Sequence, residues 1–175
     1  MSVSLILGGA RSGKSRFAEK LAHGTKHYVA TAQAFDDEMF ERIAAHKKQR
    51  GDGWLTHEVP FDLVNQLRKL DDAKNFILVD CLTLWLSNLL LNDADCSELV
   101  YDLVAHLKVT KAHVVIVSNE VGLGIVPDNK LGRMFRDIQG IANQGVATIA
   151  DHVVFMVAGL PMVLKGPKPT ELQQP

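Results

Sequence analysis

One short stretch near the start of the chain constrains the fold most strongly: LILGGARSGKS at residues 5–15. Gly8 and Gly13 bracket four residues and are followed by Lys14 and Ser15, which satisfies the phosphate-loop pattern GxxxxGK[ST]. An apolar segment leads in, and RFAEKLA continues with a helical pattern. In such loops the glycines let backbone N–H groups turn toward phosphate, and the following helix adds favourable partial charge. We therefore predict a nucleotide-phosphate site formed by Gly8, Gly9, Ala10, Arg11, Ser12, Gly13, Lys14 and Ser15.

The chemistry of this loop assigns roles to individual side chains. Lys14 is expected to reach the β- and γ-phosphates as a catalytic residue, and the Ser15 hydroxyl is expected to ligate Mg²⁺. A phosphate loop also needs an acidic metal partner on a neighbouring strand, and FILVD ends in Asp80. Because strands often end in aspartate, a simple strand-end cap is the alternative for Asp80. We predict Ser15 and Asp80 as the metal ligands.

Apolar runs of strand length alternate with helical patterns along the chain. This alternation predicts an α/β fold, a single P-loop NTPase-like domain in three layers, with a mostly parallel sheet covered on both faces. The predicted strands are Val3 to Leu7, His27 to Thr31, Trp54 to Glu58, Phe76 to Asp80, His113 to Ser118, Asp151 to Val157 and a short edge strand at Met162 to Lys165. The predicted helices are 14–23, 36–50, 61–70, 82–91, 97–108 and 129–147.

Two of these helices have informative patterns. The last one carries apolar residues at three- and four-residue steps, which predicts a core-facing stripe, with Asp128 as its cap. The run LTLWLSNLLL at 82–91 is apolar nearly all round, so it is either fully buried or partly a subunit contact. The members of the predicted stripe are Leu131, Met134, Phe135, Ile138, Ile141 and Ala142.

Bulk properties exclude several classes of protein. A length of 175 residues suits one domain, which we place at 1–166, with a polar, proline-rich and flexible tail at 167–175. The net charge of −1 gives no general attraction to nucleic acid or anionic membrane. No run is apolar for long enough to span a bilayer, and we expect a cytoplasmic protein. Cys81 and Cys96 form no metal or disulfide pattern, so we expect them to be packing residues.

A regulatory switch is the class that the motifs favour least. Regulatory GTPases read guanine with an NKxD motif after a late strand. The corresponding strand here ends in SNEVG at 118–122, and the later NKLG at 129–132 lacks the aspartate. If this chain recognises guanine, it must therefore do so with residues other than an NKxD motif.

One histidine occupies an unusual position. His46 projects about 20° from Met39 around the predicted helix 36–50, on its apolar side, and a basic cluster follows it. A neutral imidazole there can attack the α-phosphorus of a nucleoside triphosphate and expel pyrophosphate. The adjacent Lys47, Lys48 and Arg50 would hold the triphosphate and disfavour protonation of the ring. A partly buried histidine with a purely structural role is the alternative that the residues alone leave open.

Five segments together resemble one enzyme family. They are GGARSGKS, YVATAQAFDDEM, RIAAHKKQR, ILVDCLTLWLSNLL and VSNEVGLGIVPDNKLGRMFRDIQGIANQ, and they occur in this order up to about residue 165. They resemble the bifunctional adenosylcobinamide kinase / adenosylcobinamide-phosphate guanylyltransferase of cobalamin biosynthesis. The phosphate loop alone would be unspecific, whereas the ordered set, above all SNEVGLGIVP, is highly specific.

The resemblance implies two transferase reactions. The first phosphorylates the aminopropanol hydroxyl of adenosylcobinamide with ATP or GTP, and the second transfers GMP from GTP to that phosphate. In the family a histidine after the DDEM segment carries GMP; the matching residue here is His46, and Ala45 stands where some members have a second histidine. The family also implies a homo-oligomer, with a trimer as the expected state.

The resemblance further implies which residues bind nucleotide. Glu58 could accept hydrogen bonds from the guanine N1–H and 2-amino group, although a solvated glutamate is the alternative. Asn119 and Glu120 are expected to orient the substrate hydroxyl, water or metal, or else to fix the loop that follows them. A plain P-loop kinase without a covalent intermediate is the main alternative function. Beyond the phosphate loop, the implied contacts are Thr31, Ala32, Gln33, Lys47, Lys48, Gln49, Arg50, Glu58 and Asp80.

Overall fold

A computed structural model describes residues 2–33 and 51–167 of the chain. Within these ranges seven strands and five helices follow one another. The strands are β1 (Ser2–Gly8), β2 (Thr25–Ala30), β3 (Trp54–Glu58), β4 (Asn75–Asp80), β5 (His113–Asn119), β6 (His152–Val157) and β7 (Leu160–Lys165). The helices are α1 (Lys14–Lys20), α2 (Leu63–Lys69), α3 (Leu82–Leu91), α4 (Cys96–Leu107) and α5 (Lys130–Ile149). The predicted helix 36–50 and the tail after 167 lie outside the described residues.

The strands form one sheet in the order β3-β2-β4-β5-β1-β6-β7. All pairs are parallel except β6 with β7, so the predicted single α/β sheet and its edge strand are confirmed. Asp80 does not end a strand that borders β1, because β5 lies between β4 and β1. The carboxyl ends of all three strands nevertheless meet at one edge, where open α/β sheets bind ligands.

The two faces of the sheet are covered unequally by the described helices. Helices α2, α3, α4 and α5 pack on one face, which we call the four-helix face. Helix α1 packs on the other, the α1 face, through Phe17 and Ala18. Side chains alternate along each strand. In β4, for example, Ile77 and Val79 join the four-helix face, while Phe76 and Leu78 join the α1 face.

The start of α5 departs from the sequence prediction. Asn129, not Asp128, caps the helix, since its side chain accepts a hydrogen bond from the Gly132 amide at 2.7 Å. The Asp128 carboxylate instead accepts from the Asn129 side chain at 3.2 Å. Asn129 occupies the N-cap position, from which a side chain reaches the amide of the third helical residue, as N-cap side chains do.

The predicted apolar stripe of α5 is only partly buried. Of its members Ala142 is fully buried and Phe135 and Ile138 are partly buried, but the other three are exposed. The face that turns inward instead includes polar side chains, which are buried because they find hydrogen-bond partners at the end of β5. The exposed members are Leu131, Met134 and Ile141, and the buried residues of the helix are Gln139, Ala142, Asn143 and Val146.

Helix α3 lies in the centre of the four-helix face. Trp85 is fully buried, and its indole N–H donates to the Phe61 carbonyl at 2.7 Å. Cys81 and Cys96 are both buried and unbridged, as the composition predicted. Among the described residues, no helix has the length and apolar character needed to cross a membrane.

Candidate functional site

The phosphate loop connects β1 directly to α1, as the motif predicts. Gly13 adopts φ 94°, a left-handed conformation that favours glycine. At Gly8 a Cβ atom would lie 2.6 Å from the Met156 carbonyl oxygen of β6. The loop is also held from outside, since the Gly159 amide in the β6–β7 turn donates to the Ser12 carbonyl at 3.1 Å. A side chain at Gly8 would therefore require a shift of the backbone, and one at Gly13 would force a strained backbone conformation.

Lys14 is buried at the start of α1. Its ammonium donates to the Gly9 carbonyl at 2.5 Å, so the side chain folds back over the loop. Burial lowers the pKa of Lys14, and the nearby Asp80 carboxylate opposes that shift by favouring the charged form. Lys14 and Asp80 therefore lie at the same edge of the sheet, although β5 separates their strands.

Asp80 faces the α1 side of the sheet. It follows Phe76 and Leu78 in the alternation of β4, and the Tyr28 hydroxyl donates to its carboxylate at 2.9 Å. Mg²⁺ commonly takes one or two protein ligands and completes its shell with phosphates and water. The hydroxyl of Ser15 and the carboxylate of Asp80 fit that requirement. Among residues 2–33 and 51–167, no group of three histidine, cysteine, aspartate or glutamate side chains forms a separate metal site.

The end of β5 lies beside the phosphate loop. Asn119 pairs with Gly8 in the register of β1 and β5, and the Glu120 amide donates to the Gly8 carbonyl at 3.1 Å. The Glu120 carboxylate accepts from the Gly122 amide at 2.6 Å, which shapes the following turn. The structure thus brings both predicted residues to the loop, and their contacts there also fit the alternative that they fix the chain.

Thr31 has structural contacts that the sequence did not predict. Its hydroxyl is fully buried, donates to the Cys81 carbonyl at 2.7 Å and accepts from the Cys81 amide at 2.8 Å. The Asn88 side chain donates to the Thr31 carbonyl at 2.8 Å. Thr31 therefore ties the end of β2 to the end of β4, and the half-exposed Ala32 and Gln33 follow at the same sheet edge.

Glu58 lies at this edge but away from the loop. It is exposed at the end of β3, where it pairs with Ala30. Four strand spacings separate β3 from β1, or about 19 Å at roughly 4.8 Å per spacing. Glu58 and the phosphate loop could therefore contact only opposite ends of a bound nucleotide. The other predicted nucleotide and catalytic residues, His46, Lys47, Lys48, Gln49 and Arg50, lie outside the described residues.

Several residues at this edge were not found by sequence reasoning. Tyr28 holds Asp80, Thr83 accepts from the Asn119 amide at 2.7 Å, and Asn143 donates to the Asn119 carbonyl at 3.2 Å. The sequence did offer a signal for Asn143, because it is a polar residue within the apolar pattern of a helix. No pattern in the sequence pointed to the other two.

Comparisons with known proteins point to one enzyme family. The family model described as cobinamide kinase / cobinamide phosphate guanyltransferase matches residues 4–164. A bifunctional adenosylcobalamin biosynthesis protein, CobP from Pseudomonas aeruginosa, is 49% identical, over 93% of this chain and 96% of that protein. CobU from Escherichia coli K12, described in the same words, is 38% identical over 92% of this chain and 98% of its own length.

A solved structure supports the fold alone. A protein from Pyrococcus horikoshii OT3 superposes with a TM-score of 0.53 at 10% identity, over 95% of this chain and 87% of that one. The family match spans residues 4–164, and the two relatives are 49% and 38% identical over more than nine-tenths of this chain. Together they support a family assignment as well as a fold. The chain belongs to the cobinamide kinase / cobinamide phosphate guanyltransferase family.

Proposed function

We propose that this protein phosphorylates adenosylcobinamide on its aminopropanol hydroxyl and then transfers GMP from GTP to the resulting phosphate. The observation that carries the proposal is the family match over residues 4–164, within which the phosphate loop is complete. The products are adenosyl-GDP-cobinamide and pyrophosphate. GTP, ATP and the corrinoid are substrates, and the acting unit is a cytoplasmic homotrimer in this proposal.

The phosphate loop serves the kinase step. Lys14 contacts the β- and γ-phosphates once its ammonium leaves the Gly9 carbonyl, and it offsets the charge that develops on the transferred phosphoryl group. Ser15 and Asp80 would hold Mg²⁺, which supplies charge neutralisation between the phosphates when bound. Asn119 and Glu120 orient the attacking hydroxyl beside Gly8.

His46 serves the guanylyl step as a nucleophile. A ring nitrogen attacks the α-phosphorus of GTP, a P–N bond forms, and the P–O bond to pyrophosphate breaks. An oxygen of the cobinamide phosphate then attacks the same phosphorus, the P–N bond breaks, and the imidazole is released. Lys47, Lys48, Gln49 and Arg50 hold the triphosphate, and Glu58, with Ala32 and Gln33, contacts the nucleoside end, while the buried Thr31 holds the strand end that precedes them. The exposed position of Glu58 at the sheet edge supports its role in reading guanine.

Labelling with [α-³²P]GTP tests the covalent step against a plain kinase. The wild type is expected to acquire label that is acid-labile and alkali-stable, and His46→Ala is expected to acquire none. His23→Ala replaces an exposed histidine and serves as the matched control, with labelling like the wild type. Phosphorylation of adenosylcobinamide without any protein label would contradict the carrier and leave the plain kinase. Nucleotide binding without transfer to a cobinamide acceptor would instead indicate a switch.

A further inference from the structure

Three polar side chains form a buried network at the end of β5. Ser118 and Gln139 are fully buried and Asn143 is 6% exposed. The Ser118 hydroxyl donates to the Asn143 side-chain oxygen at 2.7 Å. The Gln139 side-chain amide donates to the Ser118 hydroxyl at 2.9 Å and to the same Asn143 oxygen at 3.0 Å. The network therefore fixes the orientation of the Asn143 amide, because its oxygen is the acceptor for both donors.

The oriented Asn143 amide holds the backbone of Asn119. Its nitrogen donates to the Asn119 carbonyl at 3.2 Å, while the Asn119 amide donates to the Thr83 hydroxyl at 2.7 Å. The two contacts come from helices α5 and α3, so the backbone of Asn119, the last residue of β5, is held through both its amide and its carbonyl by the four-helix face.

The backbone held at Asn119 is the segment that borders the phosphate loop. Asn119 pairs with Gly8, and the next amide, that of Glu120, donates to the Gly8 carbonyl at 3.1 Å. Strand alternation after Val115 and Val117 places Asn119 on the α1 face, as it places Asp80 after Leu78. A shift of this segment would move Asn119 and Glu120 relative to the loop and to Asp80.

The composition of the network argues against a purely structural purpose. The side-chain oxygen of Gln139 is buried and has no hydrogen-bond partner among the described residues. Burying an unpaired polar atom lowers stability, and an apolar side chain of similar volume would fill the same space without that penalty. A polar residue in this position is better explained by the geometry that it imposes on its neighbours.

We propose that Gln139 is a positioning residue: through Ser118 and Asn143 it holds the Asn119–Glu120 peptide against Gly8 in the geometry required for phosphoryl transfer. This inference rests on the proposed function, because it assigns Asn119 and Glu120 their role in the kinase step. It concerns residues on the face opposite the loop, none of which needs to touch substrate.

Gln139→Met tests the proposal, with Gln144→Met as the matched control. Both changes replace a glutamine of α5 with an apolar side chain of similar length, but Gln144 is exposed. We expect Gln139→Met to lower kcat for phosphorylation of adenosylcobinamide about tenfold, because small displacements near a reacting group are costly, with KM for GTP within about twofold of the wild type. Gln144→Met should leave both constants unchanged. A role in stability alone would change the melting temperature and leave kcat of the folded enzyme intact, which would overturn the proposal.

A double-mutant cycle locates the effect. In an Asn119→Ala/Glu120→Ala background the Gln139→Met change should lower kcat by less than about twofold, since residues that act as a unit are not additive. Full additivity of the losses would contradict action through Asn119 and Glu120. If Gln139→Met does not fold, Ser118→Ala carries the same test, because it removes one of the two acceptors that orient the Gln139 amide.

Amide hydrogen exchange gives a readout that needs no activity. In Gln139→Met the Asn119 and Glu120 amides should exchange about tenfold faster than in the wild type, while the Val115 and Ile116 amides stay unchanged. Unchanged exchange at Asn119 and Glu120 would overturn the proposal. If the wild type makes no phosphorylated corrinoid, the proposed function fails, and the exchange comparison then decides the positioning role separately.

Discussion

The two faces of the sheet differ in how much apolar core they contain and in whether they carry the candidate site. The four-helix face contains a large apolar cluster to which four helices contribute, whereas the described α1 face is covered by a seven-residue helix that contributes Phe17 and Ala18. The phosphate loop, Lys14 and Asp80 belong to the α1 face. Stability is therefore concentrated on one side, and the groups proposed to handle nucleotide lie on the other.

A single strand can serve both faces because its side chains alternate. In β5, Ile116 packs in the core of the four-helix face, Val117 faces α1, and Ser118 turns back to bond with α5. The polar network around Ser118 is the place where the stable face supports the reactive one. Substitutions on the two faces should therefore have separable effects.

Truncation of Trp85 should produce the largest loss of stability. Trp85→Ala removes a fully buried ring and its hydrogen bond to the Phe61 carbonyl, and we expect a loss of about 3–5 kcal/mol in the free energy of unfolding. Urea denaturation measures it, and kcat of the folded fraction should stay within about twofold. Leu91→Ala in the same helix, at a position 60% exposed, should change the unfolding free energy by less than about 0.5 kcal/mol. A selective loss of activity in Trp85→Ala would break the division between faces.

Removal of the Lys14 ammonium should have the opposite signature. Lys14→Ala deletes the cation proposed to contact the phosphates, and we expect kcat/KM for phosphorylation of adenosylcobinamide to fall about 10²–10³-fold. The melting temperature should not fall, because burial of a lysine disfavours its charged form. Lys20→Ala, in the exposed last turn of α1, should retain wild-type kinetics. Equal losses in the two variants would show that the loop lysine has no special role.

Alkaline pH should weaken nucleotide binding through the same lysine. Burial lowers the pKa of Lys14 below the usual 10.5, so its neutral form becomes populated at a lower pH than in an ordinary lysine. Only the protonated amine attracts phosphate, and KM for GTP should therefore rise as pH increases through that lowered value. Lys14→Arg stays charged over this range, and whatever activity it retains should lack the alkaline increase. An unchanged pH profile in Lys14→Arg would assign the titration to another group.

The smallest effect should come from Asp71, at the margin of the four-helix face. Its carboxylate accepts from the Thr110 hydroxyl at 2.7 Å and from the Lys111 and Ala112 amides at 2.6 and 3.0 Å. Burial opposes ionisation of Asp71, but the three hydrogen bonds outweigh it, and its pKa lies below 3.8. Because the folded pKa is depressed, the stability it contributes is present above pH 3.8 and is lost as pH falls through the folded pKa.

Asp71→Ala should therefore destabilise the protein by about 1 kcal/mol at pH 7, a figure reduced by the group's exposure. The difference from the wild type should shrink in acid, as urea denaturation at several pH values would show. Asp52→Ala, at an exposed carboxylate, should have no measurable effect at any of these pH values. A loss in Asp71→Ala that persists unchanged in acid would exclude the ionised carboxylate as its source.

Local patterns predicted the elements well. The apolar runs identified all seven strands, and the glycine spacing identified the loop, because both signals depend on residues close together in sequence. The convergence of Lys14, Asp80 and Asn119 followed from parallel strands ending at one edge. The order that places β5 between β4 and β1 was not predictable, since it depends on long-range pairing.

Buried polar residues were the main failure. The apolar stripe of α5 suggested that Leu131, Met134 and Ile141 face the core, yet Gln139 and Asn143 do so. Periodicity alone cannot show that a polar side chain will meet Ser118, because that partner lies on a strand 21 residues before Gln139. The bonds of the Thr31 hydroxyl to Cys81 escaped prediction for the same reason.

Product analysis tests the central claim most directly. Purified protein incubated with adenosylcobinamide, GTP and Mg²⁺ should form adenosylcobinamide phosphate and then adenosyl-GDP-cobinamide, each identified by mass spectrometry. Lys14→Ala, with an unreduced melting temperature, should form neither beyond about 1% of the wild-type rate. Absence of both products with the wild type, or their formation by Lys14→Ala at the wild-type rate, would contradict the account.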